Sequence, residues 1–199
     1  MSSSDNITWT GTFTPSTNTE DATNTFSLGT SYTDAAGNAG PAATTANYTV
    51  DTRAPTISSS TPADNAYGVT VSDNLVLNFS EVVDAETGNI TIKKMLDDST
   101  VETIDVSGGQ VNGSGSTQIT INPSSDFAQN TAYYLNIDAS AFDDASDNSC
   151  AGISNSTSLN FSTAVANRVP TLSSIGNKSV LEGDTLSSSA ARLLSSVFV

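Results

Sequence analysis

The sequence has no histidine and only one cysteine, Cys150, in 199 residues. Without imidazole, Ser-His-Asp and Cys-His relays and the usual zinc sites are excluded. A single cysteine cannot form an intrachain disulfide. With no histidine to activate it, Cys150 reads as a small packing residue rather than a nucleophile. Basic residues are nearly as scarce, with 6 Lys and Arg against 21 Asp and Glu, a net charge of −15. Such a chain repels nucleic acid and anionic membranes and attracts cations. Its ligand atoms are hard oxygens, which favour calcium. No apolar run is long enough to span a bilayer.

Short alternating runs fill the centre of the chain: Leu75–Phe79, Ile90–Lys94, Val101–Val106, Gln118–Ile121, Tyr133–Ile137 and Leu159–Thr163. Leu75, Leu77 and Phe79 share one face, as a half-buried strand requires, and Tyr133, Leu135 and Ile137 repeat the pattern. Gly, Asn, Asp, Ser and Pro clusters separate the runs, and no long window carries the 3.6-residue apolar period of a helix. Several short strands in one stretch, with no helices between them, predict an all-β sandwich. Aromatics make up only 7% of the chain. At least two of Tyr67, Tyr133 and Tyr134 are therefore needed inside, although exposed they would offer a surface for stacking on sugars.

Landmarks along Pro55–Thr163 resemble the bacterial Ig-like domains of S-layer and other large exported proteins. They are Thr61-Pro62-Ala63-Asp64-Asn65, Ser80-Glu81-Val82-Val83-Asp84 after an apolar strand, and Asn130-Thr131-Ala132-Tyr133-Tyr134-Leu135. The resemblance implies one complete Ig-like β-sandwich over residues 53–165. Residues 1–52 resemble the C-terminal half of another such repeat, of the kind found in tandem in giant adhesins. Ile7–Thr14 reads there as an alternating strand, with Thr25–Gly29 and Asn47–Val50 as two more. Residues 166–199 resemble the start of a third repeat. Its text breaks off after Leu186 into Ser187–Val199, read either as non-native coding or as an amphipathic tail.

Internal repetition supports a tandem array. Asp34-Ala35-Ala36-Gly37-Asn38 corresponds to Asp144-Ala145-Ser146-Asp147-Asn148, and Arg53-Ala54-Pro55-Thr56 to Arg168-Val169-Pro170-Thr171. In each loop an Asp and an Asn flank a tight turn. The residue before Asn should take positive φ, which suits Gly37 better than Asp147. The alternative to a metal site is an Asx-turn, whose side chains bond only the local backbone. In the adhesin repeats that this sequence resembles, the equivalent loop and a following V-D-T linker hold calcium between domains. That implies Asp34, Asn38 and Asp51 as ligands at the first junction. Asp143, Asp144, Asp147 and Asn148 are candidates in the second loop, although the linker after it lacks an Asp.

Glu81, Asp84 and Glu86 form a further acidic cluster. It could be a carboxylate pair for glycoside hydrolysis or simply a solvated strand end. Lys93-Lys94 balances local acids. Gly108–Ser116 is a flexible hairpin loop with no helix behind it to cradle phosphate.

These observations lead to an expected function as a calcium-stiffened spacer and adhesion module. The rival readings are a carbohydrate-binding module and a glycan-acting hydrolase. The expected partners are neighbouring Ig-like repeats and a cell-surface or polysaccharide ligand, with no nucleic acid and no membrane. The open face of the first repeat also suggests a homo-oligomer. Met1 is not followed by a signal peptide, whereas the Ser-, Thr-, Asn- and Gly-rich composition suits an exported bacterial protein. The expected parent is therefore a longer secreted or cell-surface chain.

Overall fold

The computed structural model describes residues 8–166. The expectations for Ile7, for the third repeat and its Arg168–Thr171 junction, and for the Ser187–Val199 tail lie outside the described residues.

Every regular element among the described residues is a strand. The first repeat holds β1 (Glu20–Asn24), β2 (Ser27–Leu28), β3 (Ala43–Thr44) and β4 (Tyr48–Asp51). They form two separate two-stranded ribbons, β1 with β4 and β2 with β3. The second repeat begins with β5 (Ile57–Thr61), β6 (Ala66–Val69), the long β7 (Leu75–Ala85), β8 (Asn89–Lys94) and β9 (Thr100–Asp105). It continues with β10 (Val111–Asn112), β11 (Ser116–Ile121), β12 (Ala132–Ile137), β13 (Phe142–Asp143) and β14 (Asn160–Thr163).

These ten strands make two five-stranded sheets. One runs β6-β14-β12-β8-β9, with β14 and β6 parallel. The other runs β10-β11-β7, and the far edge of β7 is shared by two strands in succession. Ile57 in β5 pairs with Phe79, whereas Asp143 in β13 pairs with Asp84. Ser80–Val83 is left between the two partners, and this gap places the site described below.

Alternation drives the packing. Leu75, Leu77, Phe79 and Val83 of β7 are buried while Ser80 and Val82 face out. From the opposite sheet, Ile90, Ile92, Tyr133, Leu135 and Phe161 enter the same core. Phe127 anchors one end against Tyr133 and Phe161, with ring centroids 4.9 and 5.2 Å away. Phe142 packs on Phe79 at 5.2 Å at the base of the second Asp loop. Cys150 is buried in this core, as a packing residue should be.

The first repeat differs. Of the alternating run, the described part 8–14 forms a single bridge, at Thr10, and no longer strand. Trp9 is 61% exposed and Phe13 53%. Phe26 stacks on Tyr48 and meets Phe13 edge-on at 4.9 Å.

Candidate metal centre at the repeat junction

Both Asp-x-x-x-Asn loops fold in the same way. In the first, Asp34 Oδ1 accepts from Ala36 N at 2.9 Å and Asn38 N at 2.8 Å, and Oδ2 accepts from Asn38 Nδ2 at 2.9 Å. In the second, Asp144 Oδ1 accepts from Ser146 N at 2.8 Å and Asn148 N at 2.9 Å, and Oδ2 accepts from Asn148 Nδ2 at 2.9 Å. The residue before each Asn takes positive φ, 86° at Gly37 and 61° at Asp147. The Asp side chain thus satisfies the amides of a tight turn, which explains the spacing.

The surroundings of the two loops differ. Asp34 and Asn38 are exposed, whereas Asp144 is only 5% exposed. The second loop continues from β13, and the linker after β4 runs into β5, so both approach β7 at its unpaired gap. There Thr56 O accepts from Ser80 N at 2.9 Å, and Ser80 Oγ accepts from Thr56 N at 3.0 Å. Glu81, the next residue, meets Asp51 from the end of β4 and Asp144 from the loop. One carboxylate oxygen of each lies within 4.8 Å of the other two. Ser146 Oγ donates to Asp51 Oδ2, and Asn148 Nδ2 donates to Asp51 O, both at 3.4 Å.

The linker is held from the other side as well. Thr52 N donates to Thr19 O at 2.8 Å, Thr52 Oγ1 accepts from Thr19 N at 2.9 Å, and Arg53 bridges to Glu20 at 3.3 Å.

The electrostatics follow from this convergence. Burial, and then the charges of Asp144 and Asp51, push the Glu81 carboxyl above its ordinary value, with Arg53 opposing. Burial acts upward on Asp144 too, but the Asn148 and Ser146 hydrogen bonds outweigh it and hold the group low. Asp143 is raised by burial and by Glu86, Asp147, Asp144 and Asp84. Asp34 is lowered, chiefly by its Asn38 side-chain bond.

Among the described residues, the acidic group close enough to share an ion is therefore Asp51, Glu81 and Asp144. Asp34, Asn38, Asp143 and Asp147 are not members of it. Asn148 sits beside it through its bonds to Asp144 and Asp51. Glu81, first noted with Asp84 and Glu86, parts from them along β7. Asp84 instead pairs with Asp143 and accepts from Ser114 Oγ at 3.2 Å. The alternation of β7 carried the missed signal: Glu81 is in phase with Phe79 and Val83, the buried positions.

Two grooves lie elsewhere. One, of about 470 Å³, runs between β5 and Cys150–Leu159 and is lined by Ile57, Cys150, Ile153 and Leu159. The other, of about 570 Å³, lies on the first repeat over Phe13, Phe26 and Leu28. Neither includes Glu81, Asp84 or Glu86. Tyr133 and Tyr134 are buried, and Tyr67 is 89% exposed.

Comparison with known family models agrees with this architecture. Residues 51–163 match a family model described as a bacterial Ig-like domain, and residues 1–50 match a second model of the same description. Among solved structures, the chain is similar to the crystal structure of the S-layer protein rSbsC(31-844), at 13% identity and a TM-score of 0.37. That match covers 59% of this chain and 14% of the S-layer chain. A search of curated proteins found no match.

Proposed function

The chain belongs to the bacterial Ig-like domain family, and from that premise we propose that it is a structural spacer of a large exported or cell-surface protein, with a calcium ion closing its repeat junction. The observation that carries this reading is the meeting of Asp51 from the end of β4, Glu81 from the central strand β7 and Asp144 from the second loop. Calcium binds oxygens at about 2.4 Å, so two ligands of one ion stand at most about 4.8 Å apart. The three carboxylates fall inside that limit.

Calcium bound there would supply positive charge to an otherwise repulsive cluster. The Asp51 main-chain carbonyl and the Ser146 hydroxyl are further oxygens beside it. Asn148 positions Asp144 and reaches the linker. Asp34 uses both carboxylate oxygens to accept from Asn38 and its own turn, so the proposed ion draws Asp51 to the second loop. A fixed linker transmits force between repeats without hinging, as a spacer requires. The exposed Phe13, Phe26 and Leu28 form the surface through which the first repeat would meet a neighbouring repeat or a second copy.

Calorimetric calcium titration tests the proposal. The wild type should give a binding heat and a higher melting temperature. A hundredfold excess over Kd stabilises by about 2.7 kcal/mol. The double variant Glu81→Gln with Asp144→Asn should lose both responses. A wild type with neither response at millimolar calcium, the weak end of extracellular calcium modules, would make the junction an ordinary linker.

A further inference from the structure

We propose that Asn112–Gly113 is a self-modification site, at which the chain converts its own asparagine to aspartate and isoaspartate without an enzyme. Three observations converge on this one peptide bond.

The first is accessibility. Asn112 ends β10, the outer strand of its sheet, and both Asn112 and Gly113 are exposed. The second is freedom of the reacting groups. Among the described residues, no hydrogen bond is made by the Asn112 side chain or by the Gly113 N–H. Many other asparagines are tied down. Asn38, Asn148 and Asn65 donate to Asp34, Asp144 and Asp64, and Asn155 caps its own turn.

The third is the following residue. Gly113 has φ of +104°, and a Cβ there would strike the Gln118 carbonyl oxygen, so the turn admits only glycine. The fold therefore enforces the one residue that leaves the attacking amide unhindered. No other asparagine in the chain precedes glycine. Asn18, Asn74 and Asn130 precede Thr, Leu and Thr, and Asn122 precedes Pro123, which has no N–H to attack with.

The chemistry needs only water. The Gly113 nitrogen loses its proton and attacks Asn112 Cγ. The new N–Cγ bond forms as the Cγ–Nδ2 bond breaks, and ammonia leaves. Water then opens the succinimide ring. Attack at Cγ yields aspartate. Attack at the main-chain carbonyl yields isoaspartate, with the chain continuing through the former side chain. Nothing is oxidised or reduced.

The product adds a negative charge to a chain already at −15. The isoaspartyl form also lengthens the backbone beside Ser114. That residue's hydroxyl accepts from Ala85 N at 3.0 Å and donates to Asp84, tying this loop to β7.

The test ages the full chain at mildly alkaline pH, digests it at basic residues, which the reaction does not create, and maps the peptides by fragmentation in the mass spectrometer. Lys94 and Arg168 bracket the site, and Asn122 within the same fragment is an internal control. The expected result is a gain of about one dalton at Asn112, ahead of every other asparagine. The fragment should also become a methyl acceptor for isoaspartyl methyltransferase. Asn112→Gln should abolish both changes while keeping the wild-type melting temperature. An unchanged Asn112, after a synthetic peptide of the same sequence has converted, would overturn the proposal. So would earlier conversion at another asparagine.

Discussion

The two Asp-x-x-x-Asn loops have the same internal hydrogen bonds and different surroundings. Asp34 and Asp144 each accept from two backbone amides and one Asn side chain, at distances that agree within 0.1 Å between the loops. The motif therefore determines the shape of the turn. It does not determine whether the turn is a site. That depends on what the turn lands against, which is solvent for Asp34 and Glu81 with Asp51 for Asp144.

The largest expected effect breaks the platform under the second loop. Phe142→Ala removes the ring that packs on Phe79 immediately before Asp143. It should cost about 3–5 kcal/mol, read by chemical denaturation. The first loop has no buried ring at the matching position.

Asp144→Ala comes next. It leaves the Ser146 and Asn148 amides of a part-buried turn without their acceptor, at about 1–3 kcal/mol. The depressed Asp144 pKa adds a pH signature. Its stabilisation is present above the ordinary carboxylate range and is lost as pH falls, so Asp144→Asn should flatten the acid side of the melting profile.

Glu81→Gln acts in the opposite direction. Because the Glu81 pKa is raised, its contribution is fully present below its unfolded value and lost as pH rises through its folded value. In calcium-free buffer at neutral pH the variant should be more stable by roughly 0.5 kcal/mol, the size of a screened charge interaction. The gain should vanish on acidification and reverse when calcium is added. Asp34→Ala should have the smallest effect, a slight shift in melting temperature with no change in calcium response. Equal effects at Asp34 and Asp144 would end the distinction between the loops.

Much of the second repeat was legible because its core strands alternate cleanly. Ile90–Lys94, Gln118–Ile121 and Tyr133–Ile137 all lie within observed strands. The run from Leu75 was followed only to Phe79, because the acidic residues beyond it resemble a strand end. The structure continues β7 to Ala85, with Val83 buried. The two-residue strands β10 and β13 are too short to show a period, and the parallel β14–β6 pair depends on non-local packing. At the site, the Asp and Asn spacing revealed both turns. Which carboxylates meet could not be read from spacing, because Asp51, Glu81 and Asp144 converge only through the shared edge of β7.

Crystals grown with calcium, with anomalous diffraction data collected to locate the ion, give the most direct test of that convergence. The account predicts a peak bonded to Asp51, Glu81 and Asp144. Ordered carboxylates with no peak between them, or a peak at the Asp34 loop instead, would contradict it.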